Sequence, residues 1–183
     1  VRNMRPIAEV VMSRRDVVFE PALSMSWTKG FDVDHYVDVT AATLDMVAKV
    51  MGGTQRDAAA NIILGLKDMA GVCPPRFMAD LVTALRKRWP NLVLHYHRHY
   101  TDGLFVPSVG AAAKAGAHIV DVSLGAAARS YGQGEVLSTA AYLEDELGLK
   151  TMLNKDMIRE ANFVLKQIMP FYARYCGPYF QGI

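Results

Sequence analysis

Three of the five histidines stand at alternate positions in Leu94-His95-Tyr96-His97-Arg98-His99-Tyr100-Thr101-Asp102-Gly103. On a strand, residues two apart project to the same side, so His97 and His99 can face one site. Imidazole is a common ligand for borderline divalent metals. The residues alone leave two readings open: a ligand pair, or a polar strand end carrying surface histidines. A second candidate is Lys67, which closes the apolar run Asn61-Ile62-Ile63-Leu64-Gly65-Leu66. Burying an ammonium is costly. Such a lysine is paired with a carboxylate, altered in protonation or chemical state, or snorkelled to the surface. Gly132-Gln133-Gly134 allows close backbone approach but lacks the strand–GxGxxG–helix context of a phosphate loop. Arg129 and the tyrosines are candidates for substrate contact. Cys73 and Cys176 have no neighbouring His–acid arrangement in the sequence and read as packing thiols.

These side chains need elements to position them. Short apolar runs at 16–23, 61–66, 92–97 and 118–122 are continuous rather than alternating, as expected of strands covered on both faces. Between them lie helical patterns. Val33 to Met51 keeps one apolar face and is punctuated by Gly52-Gly53. Pro74 to Trp89 opens on prolines and spaces Phe77, Leu81, Leu85 and Trp89 four apart. Pro107 to Ala115 stops at Gly116, a natural C-cap. The order β-α-β-α-β-α-β is that of a parallel α/β architecture. Beyond Val122 the strand rhythm stops. Residues 125–134 read as a loop and 139–147 as a helix. Asn154 to Tyr175 reads as a longer helix, with Asn154 as cap and Met157, Ala161, Val164, Leu165 and Ile168 on one face. Lys67, His97 and His99 thus end adjacent parallel strands at the same edge.

Composition sets limits on function. Of 183 residues, 51% are hydrophobic and 21% charged, with a formal charge of +2. That suits one globular domain and excludes a disordered tail or a polybasic nucleic-acid module. Two cysteines are too few for a disulfide framework, so the expected compartment is the reducing cytoplasm. No apolar run reaches the ~18 residues of a membrane span. The start, Val1-Arg2-Asn3, has no signal-peptide pattern.

Leu66-Lys67-Asp68-Met69-Ala70-Gly71 followed by the histidine segment resembles the carboxyltransferase domain of biotin-dependent enzymes. That group includes the pyruvate carboxylase, oxaloacetate decarboxylase α-subunit and transcarboxylase types, with the wording I-K-D-M-A-G and L-H-x-H-x-H-D-T-S-G. Arg2-Asn3-Met4, the strand 114–122 and the helical end through Pro170 and Tyr175 are similar to that family too. The resemblance implies a (β/α)8 TIM barrel with a divalent metal (zinc, manganese or cobalt) at the C-terminal strand ends. It implies that Lys67 is the catalytic lysine, carbamylated and ligating metal, with His97 and His99 as the imidazole ligands. It further implies biotin on a separate carrier domain, a biotin carboxylase partner, a 2-oxo acid substrate and a homo-oligomer.

Departures accompany the likeness. Tyr100 stands where the family has Asp, Arg98 and Asp102 replace small or polar residues, and 125–134 differs from S-G-x-T-S-Q-P. The R-D-x-H-Q motif, the substrate-binding arginine region, the Gly-rich segment with its threonine and the biotin-accepting A-M-K-M are missing. The expectation is therefore the middle-to-late part of a barrel over 1–150, with a C-terminal helix beside it over 151–183. A whole barrel takes about 250 residues. Two alternatives remain. One is a metal-dependent condensing enzyme or lyase of the isopropylmalate synthase or hydroxymethylglutaryl-CoA lyase type, which typically lacks the lysine. The other is a degenerate, non-catalytic barrel subunit.

Overall fold

The computed structural model describes residues 1–25, 31–128 and 132–176, apart from the side chains of Arg2, Ala126 and 171–176. Arg129 and the side chain of Cys176 lie outside the described residues.

Four strands, β1 (Ala22–Met25), β2 (Ile63–Asp68), β3 (Val93–Arg98) and β4 (Ile119–Val120), form one parallel sheet in the order β1-β2-β3-β4. The helices are α1 (Arg5–Met12), α2 (Val33–Met51), α3 (Gln55–Asn61), α4 (Pro75–Arg88), α5 (Phe105–Ala115), α6 (Val136–Asp145) and α7 (Lys155–Cys176). Parallel strands need helical crossovers, and α2–α3, α4 and α5 supply them. The sequence dictates their ends. The Asp32 carboxylate accepts from the His35 N–H at 2.9 Å to start α2. Thr54 and Asp57 form a reciprocal capping box on α3. Gly52 and Gly116 end α2 and α5 in the left-handed conformation. Asn154 caps α7 by accepting from the Met157 N–H at 3.1 Å.

The sheet is two-faced, contrary to the expectation of cover on both sides. Leu64, Leu66, Leu94 and Tyr96 are sealed in one core with Met78, Leu81, Val82 and Leu85 of α4 and Phe105, Val109 and Ala112 of α5. The alternate residues Ala22 and Ser24 are exposed, and Lys67, Val93, His95 and His97 are half-buried. Apolar runs reveal a buried face, whereas polar residues interleaved with them reveal the other.

The first strand also differs. It was expected over 16–23, but Val17 and Val18 are exposed and only Phe19 bridges to Ile62 before Pro21. Proline has no N–H for a ladder, and regular pairing begins at Ala22. β4 is two residues long rather than five, although the Asp121 N–H still donates to the Tyr96 carbonyl at 3.3 Å. The sequence reading did not anticipate α1 and α3. The Thr54–Asp57 capping pattern was the available signal for α3. The face of α7 expected to be packed leaves Met157, Val164 and Ile168 exposed. Among the described residues the sheet remains open at β1 and β4, so it is not a closed eight-stranded barrel. No helix among them is long and apolar enough to cross a membrane.

Candidate metal centre

Because all four strands run parallel, their C-terminal ends share one edge. Lys67 is the register partner of His97, and Asp68 that of Arg98. Lys67, His97 and the following His99 are therefore brought to one edge, as the alternation required. The Nε2 atoms of His97 and His99 face each other at 3.3 Å. Two imidazole nitrogens bound to one tetrahedral zinc at about 2.0–2.1 Å lie about 3.3 Å apart. The pair has the bite of a metal chelate.

Asp121, just past β4, was missed as a site residue. Its Oδ2 lies 2.6 Å from His97 Nδ1. A carboxylate there keeps the proton on Nδ1 and leaves the Nε2 lone pair for a cation. Its other oxygen lies 3.0 Å from His95 Nε2. Burial raises the Asp121 carboxyl, but hydrogen bonds from His97 and His95 outweigh it and hold the pKa below the ordinary carboxylate value. For His95, burial disfavours the cation, yet hydrogen bonds to Glu20 and Asp121 win and raise the imidazole. The sequence signal for Asp121 was its position ending the run that follows the histidine strand.

The loop at 132–134 folds back over this edge. The Gly132 carbonyl accepts from the Tyr100 N–H at 2.9 Å. Gln133 puts its amide nitrogen 3.4 Å from His97 Nε2 and accepts from the Ser123 hydroxyl at 3.0 Å. A Cβ on Gly134 would overlap the buried Phe105 ring. The close backbone approach read from the two glycines is realised, and Gln133 joins the site.

Behind the edge, two sequence departures form one device. Arg98 is fully buried and donates from Nε to Asp68 at 3.2 Å and from Nη2 to Asp102 at 2.6 Å and the Gly71 carbonyl at 2.7 Å. Asp68 also accepts from the Val72 and Cys73 N–H groups at 3.2 and 2.9 Å. Buried charges persist only when paired and hydrogen-bonded. The second carboxylate, Asp102, accordingly accompanies the arginine. Cys73 sits beside this network as a free buried thiol. Burial, helped by Asp68, pushes its pKa up to about 12.

Among the described residues, no three His, Cys, Asp or Glu side chains gather as a complete metal cage. His97 and His99 fit as a partial ligand set that needs further donors.

Relatives identify the setting. Pyruvate carboxylase of Schizosaccharomyces pombe is 36% identical over 95 residues, 52% of this chain and 7% of that protein. Mitochondrial pyruvate carboxylase of Homo sapiens is 49% identical over 61 residues, 33% of this chain and 5% of that protein. Over these segments the chain is similar in sequence to pyruvate carboxylases. No family model matches it. The carboxyl transferase domain of Rhizobium etli pyruvate carboxylase with pyruvate superimposes with a TM-score of 0.77 at 23% identity, covering 92% of this chain and 27% of that one. That likeness shows a shared fold. The matched segments span 5% to 10% of the length of the curated pyruvate carboxylases.

Proposed function

We propose that this chain is part of a carboxyltransferase barrel in a biotin-dependent carboxylase. There, a carboxyl group passes from carboxybiotin to a 2-oxo acid of the pyruvate/oxaloacetate type. The observation that carries this reading is the approach of His97 and His99 Nε2 to 3.3 Å at a strand end, with Lys67 in register beside His97. The sequence similarity to pyruvate carboxylases supports it. So do structures of the Rhizobium etli domain with pyruvate and biocytin, or with oxamate and biotin.

In this reading His97, His99 and a carbamylated Lys67 hold a divalent metal: zinc, manganese or cobalt. Carbamylation turns the lysine from a half-buried cation into an anionic oxygen donor, which removes the cost of burying an ammonium. The metal supplies Lewis-acid stabilisation of charge developing on the 2-oxo acid. Asp121 keeps the His97 proton on Nδ1, and the Gln133 amide stands beside His97 to donate to a bound oxygen. Biotin arrives on a carrier domain and is charged by a biotin carboxylase domain. Residues 1–150 contribute strand–helix units to a (β/α)8 barrel, and 151–183 contribute a helix beside it. The remaining strands cover the open edges, which are otherwise sites for unwanted pairing. The assembly is a homo-oligomer working in the cytoplasm.

The test is exchange of carboxyl between oxaloacetate and biotin by the full-length protein. Lys67→Ala and His97→Ala should each reduce it to background. Exchange retained in either variant refutes the mechanism.

A further inference from the structure

The histidine motif contains three imidazoles, and the metal reading uses two. The third, His95, turns both ring nitrogens toward carboxylates, one as a hydrogen bond to Glu20 and the other as an ion-pair approach to Asp121 that lacks hydrogen-bond alignment. Nδ1 lies 2.6 Å from Glu20 Oε1 and Nε2 lies 3.0 Å from Asp121 Oδ1. The second oxygen of Asp121 holds His97 Nδ1 at 2.6 Å. A continuous chain, Glu20–His95–Asp121–His97, therefore crosses the polar face of the sheet from the approach to β1 to the exit of β4. It passes over β2 at Gly65, the register partner of both Ala22 and His95. A Cβ on Gly65 would come within 3.3 Å of Ala22 and 3.4 Å of Glu20 Oε1. The missing side chain makes the gap through which Glu20 reaches His95.

With both nitrogens facing carboxylates, His95 aims neither of them at the His97–His99 site. Among the described residues it connects to that site through Asp121. A carboxylate held by one hydrogen bond can pivot about it. Held from both sides, Asp121 has one orientation, and the His97 ring inherits it. We propose that His95, anchored by Glu20 across Gly65, is a positioning residue that fixes Asp121 and thereby presents His97 Nε2 to the metal. This rests on the metal reading above, so the test includes a measurement that needs no metal.

The full-length protein is titrated with Co2+, and the His97 tautomer is read from imidazole 15N shifts of the metal-free protein. His95→Leu should weaken Co2+ binding by about 10–100-fold, the usual effect of losing a residue that orients a ligand. His95→Gln, which keeps a donor and is the milder change for folding, should lose less. Glu20→Gln should weaken binding in the same direction, and Glu20→Gln/His95→Leu should be no weaker than His95→Leu alone, since Glu20 acts only through His95. Metal-free wild type should hold His97 as the Nδ1–H tautomer, and His95→Leu should show a mixture. Wild-type Co2+ affinity and an unchanged tautomer in His95→Leu would overturn the proposal, as would additive effects in the double variant. Abolition of binding in His95→Gln, equal to that in His97→Ala, would overturn it too, because His95 would then be a ligand. If wild type takes up no Co2+ but the tautomer still shifts in His95→Leu, the metal reading fails and the positioning of His97 stands.

Discussion

Replacing Arg98 by Met removes a guanidinium that has no exposure to water and leaves Asp68, 1% exposed, with a buried negative charge. Removing one partner of a buried pair costs roughly 3–5 kcal/mol. Asp68 keeps its bonds from the Val72 and Cys73 N–H groups, which places the expected loss near the lower end, about 3 kcal/mol. For a domain whose net stability is about 5–15 kcal/mol, that is a large share. At about 2–4 °C per kcal/mol for a chain of this length, the melting temperature should fall by about 6–12 °C. Urea unfolding followed by far-UV circular dichroism gives the free energy directly. Asp68→Asn/Arg98→Met removes the fully buried charge, leaving only the partly exposed Asp102 without its arginine, and should be about 1–2 kcal/mol more stable than Arg98→Met. A loss below about 0.5 kcal/mol in Arg98→Met, the scale of an ordinary surface change, would refute the argument that the buried arginine depends on its carboxylates and they on it.

Two further outcomes follow from packing and burial. Gly134→Ala puts a methyl group into the Phe105 ring and should cost about 1–3 kcal/mol, seen as a lower melting temperature. In a Cys176→Ser background, Cys73 should resist thiol reagents at pH 8 in the folded protein, because its pKa is pushed up to about 12, and should react at a normal rate in denaturant.

Much of the frame was legible because it depends on short-range signals. Capping residues, prolines and glycines bounded α2, α4, α5 and α7. The spacing of His97 and His99 and the place of Lys67 put all three at the same edge of the sheet. What escaped were relations between distant segments. Arg98 and Asp102 read as two separate departures from a motif. Only the fold brings Asp68, thirty residues earlier and in register with Arg98, to the same guanidinium that Asp102 holds. Asp121 carried no sign beyond its place in the run after the histidine strand, and its contact with His97 became visible only with β4 beside β3. The strand at 16–23 failed because hydrophobicity marks a buried run without stating where Pro21 permits pairing.

The tether between Tyr100 and Gly132 is made by the main chain, N–H to carbonyl. Such a bond is indifferent to the identity of the side chain at position 100. The loop bearing Gln133 can therefore stay docked whatever side chain other than proline stands at position 100. A substitution at position 100 can in this sense alter the surroundings of His97 and Gln133 without undoing the tether that holds the loop.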